Sequence, residues 1–286
     1  MQAIRTAGQK YLSGQLNAMA TTAVRYVFAL PFAWLYAWWL LDYKEIQVPT
    51  LTPLFLQYAL VACVMQILGT FCLVAAFKYR NFAVATSLAK TEAIQVAIVG
   101  SLLFSISLSA MGWLSVVVGV VGVFLVSKVK IRVKDFIGDS QGLIGLGYGL
   151  AAGLGLAITT LLIRESSLAL NTNLMVSAAI TLVFMITVQS VISCLYLYVH
   201  DKSQFFLMFK YWKICLFVGI TSLLGSIGWF TGASYQNAAY VKALGQVEFF
   251  ITLALTYRVF KESITLKEYF GMFLIVVSVL ILLLFA

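Results

Sequence analysis

Nine apolar runs, each long enough to cross a lipid bilayer, decide what this chain can fold into. They fall at roughly 21–41, 54–77, 82–104, 108–127, 141–163, 172–198, 213–233, 238–258 and 264–285. A spanning helix needs about 20 mostly apolar residues. The runs are continuous rather than alternating, so helices are expected and strands are not. Only 10% of the 286 residues are charged, against about 25% in a soluble domain. Residues 1–20 are polar and mixed, without the pattern of a signal peptide. Cys63, Cys72, Cys194 and Cys215 lie inside apolar runs and read as buried free thiols rather than a disulfide framework. Pro31, Pro49 and Pro53 are the only prolines, so a kink in the second half must come from glycine.

The runs repeat. Residues 78–105 align with 234–261 at an offset of 156, which pairs Tyr79 with Tyr235, Asn81 with Asn237, Leu88 with Leu244, Glu92 with Glu248 and Phe104 with Phe260. Upstream, Leu68 and Gly69 meet Leu224 and Gly225. From the run at 172–198 backwards the offset becomes 154 and Asn17 meets Asn171. Residue 1 then falls opposite Gly155, in the middle of a run. The full pattern is two sets of five helices, of which nine are complete here and the first is mostly missing, so Met1 reads as an internal start or a truncation. The expected repeats are 1–135 and 141–286.

Charge gives the orientation. Every Lys and Arg except Lys44, Arg164, Lys90 and Lys242 falls on one set of alternating loops. The positive-inside rule makes that side cytoplasmic. An odd number of helices per repeat forces the two halves into opposite orientations, which predicts an inverted-topology repeat, the plan of many secondary transporters. The net charge of +9 is explained by these loops and implies no nucleic-acid partner.

The stretches TTAVRYVFALPFAWLYAWW (21–39) and NAAYVKALGQVEFFITLALTYRVFKESITLKEYFGMFLIVVSVLIL (237–282), with Glu262 closing the ninth helix of the pattern, resemble the EamA-like transporters of the drug/metabolite transporter superfamily. The resemblance covers essentially the whole chain. It implies a central cavity lined by helices one to four and six to nine, export or exchange of small metabolites by alternating access, and cytoplasmic termini. The chain departs from the pattern in its first helix and in the turn 104–109, which lacks the closing glutamate. The loop charges also set the C-terminus outside.

Glu92 sits about ten residues, ~15 Å, into its predicted helix, and Glu248 equally deep. A charge at that depth costs at least ~2.5 kcal/mol, so it must face protein or water. The pair reads as a proton or substrate-cation site; the competing reading is a structural ion pair with Lys90 and Lys242. Glu92 and Lys90 point about 200° apart, so any bridge runs to another helix, such as Lys90 to Glu248. Lys242 shares a face with Gln246, and lies near enough to its helix end to snorkel. Gln66, Gln189, Trp229 and Tyr235 are further candidates for a cavity lining, with the two aromatics also readable as interface anchors. Arg25 fits the second helix of the family but lies near the basic side, where it reads as an anchor. Gly145, Gly149 and Gly153 read as a helix-packing stripe, and His200 as a solvated loop residue. No cluster has metal-ligand spacing, and no phosphate loop or catalytic constellation is present, so neither an enzyme nor a cofactor is expected.

The expectation is therefore an all-α, multi-pass protein of the cytoplasmic (inner) membrane: an efflux or exchange carrier for a small molecule, coupled to a proton or a counter-substrate. The alternative is a non-transporting membrane component or assembly partner.

Overall fold

The computed structural model describes residues 2–79, 88–89, 91–104, 108–126, 140–245 and 266–285. Among them the chain is helical without strands. In order come α1 (Gln2–Leu12), α2 (Ala18–Val27), α3 (Leu30–Lys44), α4 (Pro53–Tyr79), α5 (Glu92–Leu103), α6 (Ala110–Val126), α7 (Ser140–Ala169), α8 (Leu174–His200), α9 (Lys202–Lys210), α10 (Trp212–Tyr235), α11 (Ala238–Gly245) and α12 (Leu266–Phe285). Five stretches are long and apolar enough to span a membrane: Ala18–Lys44, Pro53–Lys78, Leu143–Ala169, Leu174–His200 and Trp212–Tyr235.

Three boundaries differ from the expected runs, each for a local reason. The run at 21–41 is two helices, because Pro31 opens α3; its ring nitrogen has no proton to give the carbonyl one turn back, and the ring crowds that carbonyl. The run at 141–163 continues to Ala169 through Arg164 and Glu165, because the guanidinium of Arg164 finds acceptors in the carbonyls of Ala233 (2.9 Å) and Gln236 at the end of α10. Helix α9, too short and polar to register as a run, follows α8 directly. His200 is the last residue of α8, stacked on Tyr196 with ring centroids 4.4 Å apart.

Contacts divide the chain into two compact units, Met1–Val74 with Ile158–Gln236, and Ala75–Ala157 with Asn237–Ala286. In the first unit, Leu12, Ala20, Ala23, Val24, Leu197, Met208, Cys215 and Val218 form one buried core. Helix α10 notches into the break between α2 and α3: a Cβ on Gly219 would lie 2.7 Å from the carbonyl carbon of Phe28 and 3.0 Å from the nitrogen of Ala29. Helix α3 runs antiparallel to α8, since Trp34 bonds Thr187 (3.2 Å) while Leu40 packs with Val176. At one end two helix caps hold each other. Asn17 caps α2 through Ala20 N (2.8 Å) and donates to the carboxylate of Asp201 (3.1 Å), which itself caps α9 and accepts from Ser203 (2.7 Å).

In the second unit, α6 and α12 are antiparallel and tightly apposed. Ser115 Oγ donates to Ser278 O (2.9 Å) and Ser278 Oγ donates to Ser115 O (2.8 Å). A Cβ on Gly122 would meet Gly271 O at 2.8 Å. The glycine stripe on α7 packs as its spacing predicts: Gly149 lies against Leu88, and Gly153 against Gln95 and Ala89. The four cysteines are free, with Cys63 and Cys215 buried and Cys72 and Cys194 half-buried.

Gly219→Ala is expected to destabilise the protein by about 1–3 kcal/mol, because backbone atoms face the new methyl and cannot yield. Gly228→Ala, on the same helix with open space around it, should not. Thermal unfolding in detergent compares them. Hydrogen bonds, first from Ser203 and then from Gln204 and Asn17, hold the Asp201 carboxyl below its ordinary value. A lowered carboxylate contributes stability above the unfolded-state value, about 3.9, and loses it as pH falls through the lower folded value. A melting series from pH 7 to 3 should therefore fall less steeply at its acid end in Asp201→Asn than in the wild type.

Candidate functional site

Helix α2 carries AMATTAVRYV, a sequence with a guanidinium seven residues into the span that begins at Ala18. At 1.5 Å per residue that is about 10 Å from the helix start. Its burial is fixed by neighbours on α4. Arg25 is 6% exposed, and its Nη1 donates to Thr70 Oγ1 (2.8 Å). The guanidinium carbon stands 5.2 Å from the centroid of the Tyr26 ring, a cation–π distance. Arg25 is thus turned inward, and the expectation of an interface anchor is corrected: Thr70 and Tyr26 give it partners that headgroups would otherwise supply.

Tyr26 reaches the same helix, its hydroxyl donating to the carbonyl of Gln66 (3.3 Å). The Gln66 side chain is bonded in turn to α8. Gln189 Nε2 donates to Gln66 Oε1 (2.7 Å) and to Cys63 O (3.3 Å). Two amides inside an apolar bundle are tolerated because the bond between them offsets part of their desolvation; an unpaired amide would cost several kcal/mol, on the order of 2–7. Helix α10 closes the ring with Ser222 and Ser226.

These side chains enclose a cavity of about 10 Å³, lined by Arg25, Tyr26, Gln66, Gln189, Ser222 and Ser226, with Leu182, Ile186, Leu223 and Phe230 between them. That is room for about one water molecule. Two polar atoms in the lining residues have no hydrogen-bond partner among the described residues: Gln189 Oε1 and Ser222 Oγ. Buried polar atoms are nearly always paired, so these two mark a place where something else bonds. Four helices thus bring a cation, two amides and hydroxyls to one point, all within the first unit. The site is narrow, carries polar groups among apolar ones and is sized for a single small group.

In the second unit, Glu92 and Lys242 form a direct ion pair, with side chains 13% and 12% exposed. Glu92 opens the described α5 and Lys242 lies on α11, so the pair joins two helices, as the sequence geometry required. Lys242 is tied to a carboxylate rather than snorkelling, and the expected bridge of Lys90 to Glu248 lies outside the described residues. Near the pair, Gln95 bonds Thr91 (3.0 Å). A Cβ on Gly112 of α6 would touch the Tyr240 ring of α11 at 3.0 Å.

The other sequence candidates sort as follows. Gln66 lines the cavity, and so does Gln189. Trp229 is half-buried on α10 and Tyr235 is 55% exposed at its end; neither lines the cavity. An aromatic this exposed at the end of a spanning helix fits the anchor reading of Tyr235. Lys90, Gln246 and Glu248 lie outside the described residues. Tyr26, Ser222 and Ser226 were missed. The available signal was alignment: at the offset of 156, Gln66 meets Ser222 and Thr70 meets Ser226. No group of three or more metal-capable side chains occurs among the described residues.

Breaking a buried ion pair by removing one partner costs about 3–5 kcal/mol, whereas replacing both by apolar groups is often neutral. Lys242→Met should lower the melting temperature in detergent, and Lys242→Met with Glu92→Leu should recover most of the loss.

Three comparisons with known proteins bear on this geometry. The model of the EamA-like transporter family matches residues 1–128 and 143–284. None of the curated proteins matches. Among solved structures 28 chains match. One of them, titled only "Crystal structure of protein", superposes with a TM-score of 0.73 at 11% identity, covering 98% of this chain and 90% of that one, which establishes a shared fold.

Proposed function

The chain belongs to the EamA-like transporter family, a family of multi-pass membrane transporters and not of enzymes, and on that premise we propose that it exports or exchanges a small metabolite across the cytoplasmic membrane by alternating access. The observation that carries this reading is the small cavity on which four helices of an apolar bundle converge with polar side chains. Two atoms there have no partner among the described residues. Polar and charged side chains inside an apolar bundle are costly and typically mark a pathway for substrate or ions. A carrier caught between its two open states has such a chamber.

The inverted repeat is part of the proposal, and the contacts support it. The repeat-related helices α6 and α12 are antiparallel, as inversion requires. Their two close contacts, Ser115 with Ser278 and Gly122 with Gly271, interchange under the offset of 156, since 115 maps to 271 and 122 to 278. Helix α3 and its counterpart α8 are likewise antiparallel, meeting at Trp34 and Thr187, only one residue from the offset of 154. Gln66 and Ser222, related by 156, line one cavity. The two stretches matched by the family model, 1–128 and 143–284, divide the chain near the same place as the two repeats. Carriers of this plan hold substrate near the middle of the membrane, where the repeats meet.

Glu92 and Glu248 belong to the proposal as charge-sensing positions, with Lys242, Lys90 and Gln246 around them and a proton or counter-substrate as the coupled species. The ion pair of Glu92 with Lys242 gives the test its form. Glu92→Lys combined with Lys242→Glu keeps the pair but moves the carboxylate. The swapped protein is expected to melt like the wild type and to lose counterflow in proteoliposomes on a panel of labelled amino acids, organic acids and nucleosides. Glu248→Gln should lose it too. Swapped protein that transports normally would reduce the pair to a structural tie.

A further inference from the structure

We propose that Arg25 holds an oxyanion of the transported molecule, which makes the substrate class small carboxylates or phosphates, anionic or zwitterionic but not net cationic, with a hydrogen-bond donor close to that group. The inference rests on the transporter reading and adds the sign and shape of the cargo.

Arg25 is the one formally charged residue among those lining the cavity. It is buried, and it has no ion pair among the described residues; its bonded partner is the neutral hydroxyl of Thr70. A guanidinium offers five N–H donors in a planar fork and cannot shed its charge inside a protein. One bond to a hydroxyl and one aromatic face leave donors on the fork that can turn to a molecule in the cavity. An oxyanion supplies what is missing, two parallel charge-assisted bonds on the fork. A cationic cargo in the same chamber would meet an uncompensated like charge. The Glu92–Lys242 pair sums to zero and does not bear on the sign.

The two unpartnered atoms refine the class. Gln189 Oε1 is an acceptor only, because the same amide's nitrogen already donates to Gln66 and Cys63. It repels an oxyanion and asks for an N–H or O–H. Ser222 Oγ can donate or accept. The lining therefore reads as a fork for an oxyanion beside an acceptor for a neighbouring amino or hydroxyl group. Hydroxy acids, amino acids and phosphate monoesters of polyols share that chemistry. In this structure the space holds about one water, so the cargo enters when the helices part.

The test uses matched probes on the purified full chain in detergent at constant ionic strength: lactate against lactamide, serine against serinamide, and glycerol 3-phosphate against glycerol. The thermal shift is read for the wild type, Arg25→Lys, Arg25→Met and Gln189→Glu. At least one anion should stabilise the wild type while its uncharged or cationic partner does not, and which one responds separates carboxylate from phosphate. Arg25→Met should weaken that response at least tenfold in concentration, and Arg25→Lys less. If Arg25→Met does not fold, Gln189→Glu still decides. It adds a carboxylate to the lining that Arg25 shares and gives up the amide's bonds to Gln66 and Cys63, so it should melt below the wild type and ignore the anions. A wild type that favours none of the anions, an unchanged response in Arg25→Met, or an undiminished response in Gln189→Glu overturns the assignment. Counterflow of the same six compounds separates the two claims. Exchange without preference for the anion overturns the anion site alone. An Arg25-dependent thermal response without any exchange supports the site and contradicts transport.

Discussion

A guanidinium held 6% exposed, about 10 Å inside a helical span, sets the terms for the first unit. A charge in that position costs at least ~2.5 kcal/mol on insertion scales, so the surrounding sequence must supply polar partners. Thr70 accepts a hydrogen bond from it, Tyr26 offers its ring, and Tyr26 in turn ties to the backbone of Gln66. Gln66 then needs Gln189. Each member makes the next tolerable, and the chain of dependence crosses α2, α4 and α8, with Ser222 and Ser226 of α10 facing the same space. That is how a few polar residues in a largely apolar bundle come to converge on one small space.

The packing that surrounds this network is built from small residues and one proline. Pro31 breaks the first span into α2 and α3, and Gly219 lets α10 press against the break. Serines and glycines do the same for α6 and α12. In lipid there is no hydrophobic gain from bringing two helices together, so close backbone approach and reciprocal hydrogen bonds supply the attraction. Such contacts are short and specific. Contacts of that kind give a carrier two well-defined packings rather than a continuous range, because a packed interface is bistable rather than elastic.

Much of this was legible in the residues. The spans follow from continuous apolar runs, and the glycine stripe on α7 packs where its spacing says. The break at Pro31 was not legible, because a proline near one end of an apolar run leaves hydropathy unchanged. Helix α9 was hidden by its shortness, though Asp201 followed three residues later by Gln204 is a capping signal. Arg164 and Glu165 looked like a helix end because charges usually sit there; instead Arg164 bonds the carbonyls that close α10. At the site, Gln66 and Gln189 stood out as amides in apolar runs. The inward turn of Arg25 did not, since an arginine a few residues from a span's end can reach headgroups or a neighbour. Only Thr70, 45 residues away, decides between them.

The central claim is that the polar chamber opens in turn to the two sides of the membrane. Ser222→Cys, in protein whose four native cysteines are replaced, puts one thiol on the chamber wall. Its labelling by a membrane-impermeant maleimide would be followed from each face of oriented vesicles. An alternating carrier predicts labelling from both faces. It also predicts that a cargo trapped on one side biases the labelling toward one face. A thiol unreactive from both faces under every condition would contradict the account and leave the chamber as fixed packing.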